Sequence, residues 1–459
     1  MQATNTSNRS SRIGRHARLM ASCAVLSGLF IVSAVGSADA QSVQAVTAPG
    51  TSIFSSDWGL FGDRSATTGK TVIVPSEKSF QIGSWVVQGG VNAGAVYNDN
   101  LFGTENNKVS SWGFGVAPAF VAEHSTGVMK TTVYGALNAD FYEATSKADT
   151  VTGRGGVVNL WEVQRDLSIR AQLDYYRGVY YPGGNASSIA GQNVYSDPEG
   201  YNQYFGSVGV HKDFGQMFAD FGGSISRTDY SNPSAAQGVV LNLTSPDGTI
   251  YSVAGRLGYN ISPSIYVFVD PRVNWWSYQD SAYDSTGYRV VGGVGTDRIG
   301  LFRGELYAGY QVQDFGSSSF GDVDMPVYGG AVSWFPTRML TFKLTADQTI
   351  AVSSPSLLFN TGNLAVFDSY VTKNTNVNLT GTYEISRQWL TKAGLSYTHS
   401  DYVDDPRVDN IWSATAGVTY MMVNNWGIDF SYSYNDLDSN IVNNSYTQNI
   451  FRISARGQL

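Results

Sequence analysis

Trp85-Val86-Val87-Gln88-Gly89-Gly90-Val91-Asn92-Ala93-Gly94-Ala95-Val96-Tyr97-Asn98 is the stretch whose reading decides the fold. Trp85, Val87, Gly89, Val91, Ala93, Ala95 and Tyr97 fall on one parity. Gln88, Asn92 and Asn98, with Ser84 before them, fall on the other. Successive side chains of a strand point to opposite faces, so this segment has one apolar and one polar side.

The same rhythm returns along the chain. Val133, Gly135, Leu137, Ala139 and Phe141 alternate with Asn138 and Asp140. Ile169, Ala171, Leu173 and Tyr175 alternate with Arg170, Gln172 and Asp174. The strands are joined by a long polar connector and then a short turn, in alternation. Short turns are read at Ser125-Thr126-Gly127, Arg165-Asp166-Leu167, Phe214-Gly215, Ser262-Pro263-Ser264, Thr296 to Gly300, Pro336-Thr337, Ser386-Arg387 and Asn424-Asn425. Long polar connectors are read near 99–110, 143–150, 178–203, 229–248, 278–288, 314–325, 352–368, 401–410 and 435–446.

No helical period intervenes. The predicted class is all-β, a transmembrane antiparallel up-and-down β-barrel with an apolar outside and a polar inside. The count is about eighteen strands, or sixteen if two weak ones fail. About ten residues at roughly 3.3 Å each, tilted by about 45°, cover some 23 Å of bilayer. An even count places both termini on the periplasmic side, with short turns there and long loops outside.

Composition agrees. Of 459 residues only 14% are charged, while Gly reaches 50 and Tyr 28; a soluble globular chain carries about a quarter charged residues. Arg9, Arg12, Arg15 and Arg18 precede an apolar run from Leu19 to Val35, and Ala38-Asp39-Ala40 has the small-x-small form of a cleavage site. Residues 1–40 are therefore read as a cleaved export signal. Residues 41–81 do not alternate and form a periplasmic arm or a lumenal segment; residues 82–459 form the barrel. The only cysteine, Cys23, lies in the signal, so the remainder has no disulfide or thiolate metal site. Removing residues 1–40 leaves 25 basic against 36 acidic side chains, which argues against nucleic acid as a partner. The expected surroundings are the outer-membrane bilayer, the barrel-insertion machinery and, for a glycan cargo, polysaccharide. No cofactor is expected.

The final strand places Phe451, Ile453, Ala455, Gly457 and Leu459 on one parity. Trp85, Trp112, Phe141, Trp161, Tyr259, Trp334, Trp389, Trp412 and Trp426 stand near strand ends, where interfacial aromatic girdles form.

Val96-Tyr97-Asn98-Asp99-Asn100-Leu101-Phe102 resembles the Tyr-Asp/Asn-Asp-Asn-aliphatic-Phe signature of a family of outer-membrane β-barrel porins. Ala117-Pro118-Ala119-Phe120 is similar to that family's second-strand step. Gly304 to Gln311 and Trp334 to Thr341 resemble two later segments. The resemblance runs from about residue 85 to the C-terminus. It implies an outer-membrane location and, since members often accompany exopolysaccharide genes, export of exopolysaccharide as one function.

In a barrel the polar phase is the functional surface. It carries Asp140, Arg170, Asp174, Tyr176, Asp220, Arg256, Asp270, Arg272, Trp276, Glu305, Lys343, Asp347, Lys392, Asp429, Arg452 and Arg456. An Arg or Lys facing lipid at the midplane costs about 2–4 kcal/mol, so confinement of charge to one phase points to a polar interior. Both signs occur, which predicts no strong ion selectivity. Pairing across neighbouring strands is the structural alternative for each. Tyr134, Tyr176, Tyr266, Phe268, Trp276 and Tyr278 share that phase, either to stack on sugar rings or to fill space.

Enzyme readings have little to stand on. His124 and His211 lie by short turns, and His399 lies near Asp401, Asp404 and Asp405, as in the rim site of outer-membrane proteases. Asp436-Leu437-Asp438-Ser439-Asn440 looks like the start of a calcium loop but lacks the later Gly and Glu. The predicted function is a porin-like channel for passive passage of hydrophilic solutes or exopolysaccharide. The alternative is a plugged structural or adhesive barrel whose outer loops bind a partner.

Overall fold

The computed structural model describes residues 80–459 apart from 181–187, 190–191, 194–197, 232–246, 317–320, 354–355, 361–363, 369–370, 423–425, 442–443 and 459. The export signal with Cys23, most of the 41–81 segment, the Asn424-Asn425 turn and Leu459 lie outside the described residues.

Eighteen strands make the wall: β1 Trp85–Asn98, β2 Ser111–Ser125, β3 Met129–Tyr142, β4 Thr150–Gln164, β5 Leu167–Tyr180, β6 Glu199–Asp213, β7 Met217–Tyr230, β8 Gly248–Ser262, β9 Ile265–Tyr278, β10 Ser285–Ile299, β11 Phe302–Asp314, β12 Val323–Trp334, β13 Leu340–Val352, β14 Val371–Glu384, β15 Trp389–Tyr402, β16 Val408–Met421, β17 Trp426–Ser439 and β18 Tyr446–Gln458. Each pairs antiparallel with its sequence neighbours, and β18 returns to β1 from Gly90↔Gln458 to Asn98↔Ile450. The sheet is closed. A short strand, Phe80–Ile82, pairs with β1 at Trp85–Val87. It takes the edge of β1 that lies beyond the reach of β18.

Alternation sets the two faces. Leu173, Phe221, Leu257, Val269, Leu306 and Ile453 are 51–64% exposed and face outward. Asn92, Gln172, Ser252, Asn274, Gln311 and Gln448, on the opposite phase, are buried. Trp112, Phe141, Trp161, Tyr259, Trp334, Trp389, Trp412 and Trp426 are exposed on the outward face near strand ends. Trp334 stacks on Phe302 and Phe342, 6.0 and 5.4 Å between centroids; cross-strand aromatic pairs of this kind tie neighbouring strands together.

Several connectors are shorter than the sequence reading: the 178–203 connector ends where Glu199 opens β6, the 278–288 connector ends where Ser285 opens β10, and Leu167 belongs to β5. The Thr296 to Gly300 turn is shorter, because a register shift between Thr296 and Ile299 carries β10 to Ile299 and leaves Gly300-Leu301 as the turn; Gly300 has φ +61°. The 435–446 connector begins only after Ser439, since β17 pairs with β18 as far as Leu437↔Tyr446.

One junction is incomplete. β12 pairs with β11 along Val323–Trp334, and β13 pairs with β14 along Leu340–Val352. Between β12 and β13 only Gly330–Trp334 pairs with Phe342–Ala346. Pro326 lies in the unpaired half, as expected of a residue that cannot donate to a ladder.

Candidate functional site: the inner wall

The structure buries Asp140, Asp174, Asp220, Asp270, Arg256, Arg272, Trp276, Asp429 and Arg456 on the phase opposite the lipid-type side chains. Arg170, Tyr176, Glu305, Lys343, Asp347, Lys392 and Arg452 share that phase and are half-buried.

Two ion pairs, Arg452–Asp140 and Arg256–Glu305, join strands that are not neighbours. Arg452 on β18 donates from Nη1 and Nη2 to Oδ1 and Oδ2 of Asp140 on β3, at 2.6 and 2.9 Å, although β1 and β2 lie between. Arg256 on β8 lies 3.1 Å from Asp270 on β9 and 3.1 Å from Glu305 on β11. Contacts that skip strands are within reach only across the concave face of a curved wall. Asp174 accepts from Arg154 Nε at 2.8 Å, from Gln172 Nε2 at 2.9 Å and from the Tyr134 hydroxyl. Asp429 accepts from Thr419 at 2.5 Å and lies 3.8 Å from Arg456. His211 Nδ1 is 2.5 Å from Asp220. A buried carboxylate left unpaired is costly, and these partners offset that cost, most fully at Asp174, which accepts from three side chains.

The inward aromatics follow a rule that sequence periodicity did not reveal. Tyr134, Tyr201, Phe218, Tyr266 and Tyr278 are register partners of Gly156, Gly178, Gly258, Gly295 and Gly248. A Cβ added to Gly258 would stand 1.9 Å from the Phe218 ring, and one on Gly295 2.2 Å from Tyr266. Each ring therefore lies flat over a partner with no side chain, an arrangement used to cover glycine in sheets. This accounts for much inward glycine. Tyr266 and Phe268 are 2% and 4% exposed, and the Arg256 guanidinium lies 4.1 Å over the Phe268 ring. These two rings brace the wall and present no free face to a sugar.

Several inner residues were missed. Arg154 sits on β4, where Val158 and Leu160 share the inward parity and blur the alternation. Arg289, Arg303, Phe218 and Tyr307 share the inner phase, and their parity alone could have found them. At the long-loop rim Arg407 donates from Nη2 to Asp409 at 2.6 Å, beneath the Tyr402 ring. The rim acids near His399 are not gathered around it. His399 lies 3.4 Å from Asp401 and 2.9 Å from Asn410, while Asp405 accepts the Arg407 backbone N–H at 2.8 Å. Asp436 to Ser439 is extended strand, so the calcium-loop resemblance does not hold; the ladder of β17 claims those residues. No group of three or more His, Cys, Asp or Glu suited to a metal occurs among the described residues.

A closed antiparallel wall with lipid-type side chains outside and paired charges inside defines a porin-type β-barrel of the outer membrane. The chain belongs to the family described as "Putative beta-barrel porin 2", which matches residues 78–459. Solved structures of similar shape include a BenF-like porin from Pseudomonas fluorescens Pf-5, at 12% identity and TM-score 0.42, covering 82% of this chain and 100% of that one. OccAB4 from Acinetobacter baumannii gives 9% identity and TM-score 0.40 over 83% and 99% of the two chains. The outer membrane protein opdK from Pseudomonas aeruginosa gives 13% identity and TM-score 0.39 over 81% and 98%. No curated protein matches the chain in sequence.

Proposed function

We propose that the barrel is a passive channel whose lumen passes hydrophilic solutes or an exopolysaccharide chain. The observation that carries this reading is the inner wall itself. Its charges are spent largely on one another, and Asn374, Asn376, Thr398, Ser413, Asn435 and Gln448 add a sector of uncharged amides and hydroxyls. Such a wall would wet a polar solute without holding an ion tightly. Residues 1–40 would direct export, and residues 41–81 would form the arm or lumenal segment at the channel's entrance.

Planar-bilayer recording of the purified full chain tests this. Steady single-channel conductance, reduced in steps by added neutral oligosaccharide, is the expected result. Conductance that ignores oligosaccharide supports small solutes instead. Absence of conductance, also after removal of residues 41–80, would leave a plugged structural or adhesive barrel.

A further inference from the structure

The β12–β13 junction joins three independent observations. First, the ladder stops at Gly330↔Ala346, so residues 323–329 and 347–352 face each other without backbone pairing. Second, side chains take the backbone groups left over. The Tyr328 N–H donates to Gln348 Oε1 at 3.3 Å, and Lys373 Nζ donates to the Asp324 carbonyl at 3.1 Å. Pro326 lies midway between them and on their parity, so the intervening residue aimed at β13 has no N–H to offer. Third, burial is inverted there. Leu344 marks the outward phase of β13 at 44% exposed, yet Ile350 and Val352, on the same parity, are 0% and 8% exposed.

What covers them is apolar. Ile350 and Val352 belong to one packed cluster with Val323, Met325 and Val327, which lie on the inward phase of β12. The outer half of β12 thus laps over β13 as one shingle over another. Lys373, on β14, reaches β12 because of that overlap. The same cluster continues into the lumen through Ile250, Trp276 and Val291. Much of the inner wall elsewhere carries paired charges and rings laid over glycine; here an aliphatic-rich cluster runs from the lumen to the stretch of wall that, among the described residues, lacks a ladder.

We propose that this seam is a lateral gate, through which a small apolar molecule with an aliphatic or aromatic body passes between the lumen and the bilayer. Closed, it is sealed by side-chain packing and two side-chain-to-backbone hydrogen bonds. Opening separates Val323–Val327 from Ile350–Val352 and breaks no strand pairing. The cluster would receive the apolar body. The seam lies toward the long-loop rim, beside the exposed Tyr310 and Tyr328, so in the expected orientation it opens to the outer leaflet. This route is separate from polar passage along the lumen.

The test joins the seam covalently after folding. Tyr328→Cys and Gln348→Cys are introduced in the chain, whose only cysteine lies in the expected export signal, and are bridged with a short thiol cross-linker. Uptake of phenylnaphthylamine is followed in a Gram-negative host with intact lipopolysaccharide, and conductance is measured in parallel. The expected result is several-fold faster probe uptake by the unbridged variant than by the bridged one, with ionic conductance unchanged. Pro326→Val, which restores the missing donor, slows uptake in the same direction without a cross-link. Equal uptake by bridged and unbridged protein overturns the gate, as does uptake no faster than in cells lacking the protein. Loss of conductance would bear on the polar channel alone.

Discussion

Arg452 and Asp140 hold each other through two hydrogen bonds, 2.6 and 2.9 Å, from strands separated by two others. Gly115 lies beneath them, and a Cβ there would stand 2.5 Å from Arg452 Nη1. The bridge closes the wall from the inside, next to the seam where the last strand meets the first.

Arg452→Ala leaves Asp140, which is 2% exposed, without its principal partner. The expected loss is about 1.5–3 kcal/mol, the usual range for hydrogen bonds to charged groups. Arg452→Lys should recover part of it, because a single ammonium cannot reproduce the fork. The midpoint of urea unfolding in lipid vesicles checks both.

Gly258→Val forces the Phe218 ring off the wall, since the new Cβ would meet it at 1.9 Å. Overpacking of this kind costs about 1–3 kcal/mol. The displaced ring should also narrow the lumen and lower single-channel conductance. Adding Phe218→Ala should restore conductance, which a purely local folding defect would not allow.

Asp270→Asn with Glu305→Gln removes both carboxylates that hold Arg256. Arg272 and Arg289 are register partners on the same face, so the local charge becomes strongly positive. The native barrel should show weak ion selectivity in a salt gradient, and the double variant should become several-fold anion-selective. A reversal potential that does not move would place this sector away from the permeation path.

Acid should loosen one short turn before it affects the barrel. The hydrogen bond from Lys212 Nζ, 2.5 Å away, holds the Asp166 carboxyl below its usual pKa. A lowered folded-state pKa stabilises at pH above the unfolded carboxylate value and is lost as pH falls through the folded one. The pair is exposed, so the effect is local and small. The protection factor of the Asp213 amide, whose N–H donates to the Asp166 carbonyl at 2.8 Å, should fall only in acid. Asp166→Asn should remove that dependence.

Much of this architecture was legible beforehand because parity is a local property. Asp140, Arg256, Asp429 and Arg452 could be assigned to the inner face from their immediate neighbours. Arg154 could not, since Val158 and Leu160 carry apolar weight on its own parity. The glycine partners of Phe218 and Tyr266 were also out of reach. Opposition across a ladder depends on the register between two strands, which the parity of either one alone does not carry. Pro326 was visible as a residue, but its meaning required knowing which neighbour its missing N–H should have met.

By itself the sequence determined the strands, their two faces and a closed sheet suited to a membrane. A period-two chain with charge on one parity has no cheaper place for that charge than a shared interior. Only the tertiary structure decided which charges meet, which rings lie over glycine and where the wall is lapped instead of laddered. Those relations join residues such as Asp140 and Arg452, far apart in the chain, and they follow from curvature and register, which arise only when all eighteen strands close together.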